Sequence, residues 1–431
     1  MHMGRTSAAL LACGSALFAQ SNSYVLKSAR LFDSTTGTMV TPGRLVVSNG
    51  IIQSVGNGSA PAGATVLDLG DATLLPGFID AHTHLSDEFN PDYNGDALLS
   101  LQRPISEKAI RATANARKTV MAGFTTVRDV GSSDFIDVGL RNSINAGYVP
   151  GPRMLVSVHA LGSTGGHCDD GAGFRFGVFG RETGPEEGVI NSPDQARFAV
   201  RFNVKYGADV IKTCASGGVL SPTDDVDVPQ LTQPELDALV DEAHTLHRKT
   251  AAHSHGAESS KRAIRAGIDS IEHGTFLDDE AMRMMHDRGT FLVPTLATRV
   301  GLAESKFPPL VQAKATRAVQ QQDAMVKRAL ALGVKIALGT DAAVYPHGDN
   351  ALEFALMVAD GMTPAQSLMA GTTSAAELLG LTDKIGALKP GMLADVVAVQ
   401  GNPIENIKAT QSVIFVMKDG AILRNDRAVA R

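Results

Sequence analysis

The chain has 431 residues, 44% hydrophobic and 19% charged. This suits a soluble globular protein, too long for one minimal domain but right for a large domain of roughly 250 to 300 residues plus a smaller module. A net charge of −6 with no basic run argues against nucleic acid as a partner. Cysteine is limited to Cys13, Cys168 and Cys214 with no CxxC pair, so neither a disulfide framework nor a thiolate zinc site is expected.

The N-terminus reads as an export signal over residues 1–19. Arg5 is its only charge, Thr6–Ala19 is apolar and small, and Ala19 precedes Gln20 at the expected cut. The stretch is too short to span a bilayer, so a periplasmic or secreted protein without a membrane span is expected. Leu10-Leu11-Ala12-Cys13 also has the look of a lipoprotein box.

Residues 24–75 read as β, in short runs rich in Val, Ile and Leu separated by Gly, Pro, Asn and Asp. Residues 386–427 read the same way, with Lys418-Asp419-Gly420 as a hairpin turn. Both chain ends are therefore expected to build one small β-sandwich domain.

Between them, residues 76–385 alternate strand and helix. Strands are expected at Phe78–Asp80, Thr125–Arg128, Met154–Val158, Val210–Thr213, Thr250–His253, Ser270–Glu272, Phe291–Thr295 and Lys335–Leu338. Helix starts are marked by Ser192-Pro193-Asp194-Gln195, Thr232-Gln233-Pro234-Glu235 and Thr363-Pro364-Ala365-Gln366, each with a capping residue, an early proline and a Gln or Glu in the capping-box place. Eight strand–helix alternations point to an α/β fold, a (β/α)₈ TIM barrel.

In such barrels chemistry sits at the C-terminal strand ends. Those ends hold His82-Thr83-His84, Arg128-Asp129, His159, Lys212, His253-Ser254-His255, Glu272-His273 and Asp341. Side chains on a strand alternate with period two, so His-x-His puts both imidazoles on one face. Two such pairs with His273 and Asp341 suit a metal site. Lys212 lies on a strand that should be buried, where an ammonium is costly. It has three readings: paired with an acid such as Asp129, a Schiff-base lysine as in barrel aldolases, or a carbamate bridging two metals. Cys214 is expected opposite Lys212 or passive. Phe174, Phe176 and Phe179 read as an apolar wall after the third strand, and His244, His247 and His286 as solvated helical residues.

His82-Thr83-His84, Ile211-Lys212-Thr213, His253, Ile271-Glu272-His273-Gly274 and Gly339-Thr340-Asp341-Ala342 together resemble the five metal-ligand motifs of the amidohydrolase superfamily. The stretches 159–167, 215–225 and 344–350 resemble its bacterial Xaa-Pro or Xaa-Arg dipeptidase-like branch, to which ochratoxin-hydrolysing amidohydrolases belong. The resemblance implies two divalent metal ions, zinc being expected. His82, His84 and Asp341 would hold the first, His253 and His273 the second, and carboxylated Lys212 would bridge them. Asp341 would also move the proton from the activated water to the leaving amine. His255 is expected on the face opposite His253, as a substrate or supporting group, and His159 beside a substrate carbonyl or carboxylate. The expected substrate is a small amide or dipeptide, and the expected assembly a homo-oligomer. The rival enzyme reading is a cyclic-amide hydrolase of the imidazolonepropionase or dihydropyrimidinase type.

Overall fold

The computed structural model describes residues 23–427; the expected export signal lies outside them. Among the described residues, no helix is long and apolar enough to cross a membrane.

The chain is an α/β protein. Its N-terminal part supplies strands β1 (Ser23–Ser28), β2 (Arg30–Asp33), β3 (Thr38–Val40), β4 (Gly43–Ser48), β5 (Ile51–Val55), β6 (Thr65–Asp68) and β7 (Ala72–Pro76). The middle supplies β8 (Phe78–Thr83), β9 (Phe124–Asp129), β10 (Arg153–Val156), β11 (Val210–Cys214), β12 (Lys249–Ser254), β13 (Ser270–His273) and β14 (Phe291–Val293). The C-terminal part adds β15 (Val396–Gln400), β16 (Val413–Lys418) and β17 (Ala421–Asn425).

Strands from the two chain ends meet in two sheets, ordered β5-β4-β1-β6 and β17-β16-β15-β7-β2-β3. The second is stitched across the whole sequence where β15 pairs antiparallel with β7, Val397 opposite Leu75. Leu26, Leu45 and Ile52 of one sheet share a buried apolar cluster with Leu74, Val396 and Phe415 of the other. Each such side chain contributes about 1.5–3 kcal/mol when fully buried.

The central strands form two parallel arcs, β10-β9-β8 and β11-β12-β13-β14. Connections between parallel strands need a crossover, and helices Pro193–Lys205, Gln233–Thr245, Ala257–Ala266 and Asp279–Arg288 supply it. Their starts follow the sequence signals: Ser192 accepts from the Gln195 backbone N–H, and Glu235 reaches back to the Thr232 backbone N–H at 2.8 Å. Gly267 and Gly289 end two of them in the left-handed conformation, which costs glycine least. Ile211, Ala252, Ile271 and Leu292 on the strands pack with Leu239, Ile264, Met282 and Met285 on the helices in the main core.

One expectation is corrected. Lys335–Leu338 is not a regular eighth strand and makes only the isolated bridge Leu292↔Ile336. The anticipated continuous ring is instead two arcs of three and four strands, linked by that bridge and by Leu161↔Thr213 and Thr83↔Ala342. The segment's backbone bonds are divided among neighbours: Lys335 and Ala337 bond to Leu292, whereas Leu338 accepts from the Ala81 N–H and donates to the Ala370 carbonyl, so no single ladder runs along it.

Candidate active site

The C-terminal ends of the parallel strands converge on a cavity of about 260 Å³ lined by His82, His84, Lys212, His253, His273 and Asp341. His159 and His167 line it too. Beside it lies a larger cavity of about 790 Å³, whose walls include His84, His273 and Asp341 as well as His255 and Tyr93. The backbone is bent to deliver these groups: Val158, His273, Thr295 and Asp341 are all non-glycine residues with φ between 51 and 69°. Each costs on the order of 1 kcal/mol or more, and such costs gather at functional sites.

Four of the histidines are tethered through Nδ1, and His253 through Nε2, 3.2 Å from the Gly217 carbonyl. His82 Nδ1 lies 2.7 Å from Glu272 Oε2, His84 Nδ1 3.0 Å from the Gly131 carbonyl, His255 Nδ1 2.8 Å from Thr275 Oγ1 and His273 Nδ1 2.7 Å from Thr295 Oγ1. With Nδ1 held, Nε2 is left for the cavity, the arrangement that orients an imidazole as a metal ligand. His82 Nε2 and His84 Nε2 stand 3.4 and 3.3 Å from Asp341 Oδ1.

Burial keeps most of these rings neutral, as ligation requires. It pushes His82 down to about 4 and His255 to about 3, and His253 and His273 well below the usual range. His84 goes the other way, up to about 9: burial opposes its charge, but the bond to Asp341 outweighs it. Two donor sets result: His253, His255 and His273 each present a ligand atom within 4.8 Å of the others, as do His82, His273 and Asp341. A cluster of neutral imidazoles and a carboxylate fits a divalent cation.

Glu272 organises the floor. It is fully buried and bonded to His82, to Arg128 Nη2 at 2.8 Å and to Ser270 Oγ at 2.5 Å. Arg128, also buried, donates through Nε to the Ala81 carbonyl at 2.6 Å. Neither role is legible in a motif. Lys212 is 3% exposed, and burial pushes its amine down to about 8 against the pull of Glu272 and Asp341. Asp129 is otherwise engaged, accepting from the Leu85 backbone N–H at 2.6 Å.

Two expectations are corrected here. His255 does not face away from His253: their rings lie 4.8 Å apart, and His255 stacks on His273 at 4.9 Å. Period two returns position i+2 to the same side. Cys214 lines the cavity with Lys212, the second of its two expected placements, but its sulfur is bonded to that of Cys168, where no disulfide was expected. A sequence separation of 46 between these cysteines offers no local spacing to read, and the odd count came from Cys13, which lies outside the described residues. His159 is half-buried at the cavity wall with its ring against Phe135. Phe174 and Phe179 line the larger cavity, whereas Phe176 is 87% exposed. Lys108, also in both walls, sits in the first turn of helix Ile105–Met121 without a motif to mark it.

The amidohydrolase family model matches residues 73–423. Ochratoxinase of Aspergillus niger is 32% identical over 370 residues, covering 81% of this chain and 75% of that protein; its crystal structure superposes with a TM-score of 0.83, at 29% identity over 94% of this chain and 96% of that one. A Xaa-Pro dipeptidase crystallised with methionine in its active site is 39% identical, with a TM-score of 0.88 over 94% of this chain and all of that one. An imidazolonepropionase of Cutibacterium acnes is 27% identical over 349 residues, 79% of each chain. The chain belongs to the amidohydrolase family and is a hydrolase of amide bonds.

Proposed function

We propose that this enzyme uses two divalent metal ions to cleave the amide bond to an amino acid with a free carboxylate. Its substrates are then dipeptides or N-acyl amino acids, ochratoxin A being one candidate. The observation that carries this reading is the pair of donor sets sharing His273, beside a buried lysine, in a cavity that adjoins a roomier one. In this reading His82, His84 and Asp341 hold one ion and His253 and His273 the other, zinc being the expected metal. His255 adds a further nitrogen at the second position or meets the substrate. Lys212, carboxylated, bridges: a depressed amine is neutral often enough to capture CO₂, and the carbamate removes the problem of a buried ammonium. The scaffold is then read as a (β/α)₈ barrel with a β-sandwich, the three isolated bridges standing at the seams between the arcs.

Bound there, the ions supply Lewis acidity, lowering the pKa of water and polarising the scissile carbonyl. The chain does the rest. Asp341, 13% exposed and held well below the usual carboxylate range, accepts a proton and returns it to the leaving amine. His159 offers a hydrogen bond to a substrate carbonyl or carboxylate. Phe89, Tyr93, Leu220 and Phe307 give the larger cavity an apolar wall suited to a bulky side chain or acyl group, while Lys108 supplies positive charge beside it.

The test compares an N-acyl amino acid with its methyl ester and carboxamide. Loss of the carboxylate charge is expected to lower kcat/KM by about tenfold or more. Equal rates, or turnover confined to cyclic amides, would overturn this substrate class.

A further inference from the structure

Helix Pro309–Ala331 reaches the larger cavity with Ala318 and Gln322, and it also buries a cation against the wall of that cavity. Lys314 is 6% exposed. Its Nζ donates to the carbonyls of Gly218 (2.7 Å), Ser221 (2.6 Å) and Asp224 (3.0 Å) and lies 3.2 Å from Asp224 Oδ1. All four acceptors belong to the segment that leaves β11, and Val219 and Leu220 within it line the larger cavity. A buried ammonium survives only where its protons are matched, and here one loop matches them all.

From Asp224 two arms reach His167. In the first, Ser221 Oγ donates to Asp224 Oδ1 at 2.5 Å and stands 3.1 Å from His167 Nδ1. The only other acceptor recorded for that hydroxyl is the Gly218 carbonyl at 3.2 Å. A serine has one proton; the Asp224 carboxylate is its nearest and its only charged acceptor, and with the proton there Ser221 accepts from His167 Nδ1–H. In the second arm, Gln230 Nε2 donates to Asp224 Oδ2 at 2.7 Å and its Oε1 accepts from the His167 backbone N–H at 2.9 Å. The ring is also wedged in place. A Cβ at Gly218 would stand 2.1 Å from His167 Nδ1, and the ring stacks on His253 with centroids 4.1 Å apart.

We propose that Lys314, acting through Asp224, is a positioning residue that holds His167 as the Nδ1–H tautomer, with its Nε2 lone pair turned to the cleft. Oriented so, His167 accepts a hydrogen bond from a substrate N–H, the amide nitrogen or the amine it becomes. The tautomer stands on the hydrogen bonds alone; the substrate contact rests on the amide reading above.

The test uses zinc-reconstituted protein labelled with ¹⁵N-histidine. Long-range ¹⁵N–¹H correlation spectra report the tautomer, and the His167 signals are identified by their loss in His167→Asn. The wild type should show Nδ1–H at His167. Ser221→Ala and Lys314→Met should move it toward Nε2–H or a mixture, and Lys314→Arg should retain the wild-type pattern. With an N-acyl amino acid, Lys314→Met should lower kcat/KM by about tenfold, chiefly through KM, the loss of roughly one hydrogen bond. Should Lys314→Met fail to fold, Ser221→Ala decides, because it leaves the lysine and its acceptors in place. An Nε2–H wild type, or a tautomer unmoved in Ser221→Ala, overturns the proposal. A shifted tautomer in a protein inert toward every amide would uphold the positioning and remove the amide reading instead.

Discussion

The two ends of the parallel strands are both rich in ionisable groups and use them in opposite ways. At the strand starts each charge is matched. Asp209, before β11, takes Arg141 at 2.5 Å and the Val156 backbone N–H at 3.2 Å. Asp269, before β13, takes Lys249 at 2.7 Å, His244 at 2.9 Å and the Thr250 backbone N–H at 2.8 Å. Arg153, opening β10, pairs with Asp395 at 2.5 Å and so ties the strand to the C-terminal part of the chain. At the strand ends, Glu272 and Arg128 apart, the groups that face the cavity are held largely by one side. Four histidines spend Nδ1 on a tether and keep Nε2 in reserve, and Lys212 is buried with its amine depressed. Matched charges stabilise a fold; half-matched ones store binding capacity.

The largest effect should follow from removing the carboxylate that faces both His82 and His84. Asp341→Asn is expected to cost about 10²–10⁴ in kcat while leaving the melting temperature close to wild type. A near-normal turnover would assign the proton transfer elsewhere. Next, Glu272→Gln should loosen His82 and weaken metal affinity by about 10–100-fold. Titration of the apo-protein with zinc, followed by elemental analysis, measures it, and unchanged affinity would remove Glu272 from that role.

The terminal sheets provide the control for that contrast. Leu45→Ala, in their shared core, should cost about 2–5 kcal/mol of stability with kcat unaltered at temperatures where the protein stays folded. A large change in kcat would mean that the sheets and the mouth are coupled.

The smallest effect tests the matched end by pH. Burial pushes the Asp269 carboxyl up, but the bonds from His244 and Lys249 outweigh it and hold it well below its usual range. A carboxyl depressed in the folded state stabilises it above the unfolded value of about 4, and this contribution is lost as pH falls through the folded value. Asp269→Asn should therefore cost about 1–3 kcal/mol near neutral pH, and the gap to wild type should close as the solution is acidified below about pH 4. Denaturant melts across pH measure both, and a gap independent of pH would contradict the ion-pair account.

Much of the site was legible because its logic is local. His82 and His84 fall two apart at a strand end, so strand periodicity alone put them together, and the ring separation of 5.4 Å agrees. Capping residues such as Ser192 and Thr232 announced the helices that return the chain to each next strand. The same period also determined the side taken by His255 and Cys214, although His255 was expected on the other face. What the sequence alone determined was thus the order of strands, the faces of their side chains and the chemical types at their ends, since these depend on neighbours a few residues away. Tertiary structure decided the rest: that Glu272 steadies His82 across 190 residues, that Cys168 meets Cys214, that Lys314 grips a loop some 90 residues upstream, and that the eighth segment bridges without forming a strand. Those outcomes depend on distances between remote parts of the chain, and such distances are set by how helices and sheets pack, for which no local pattern codes.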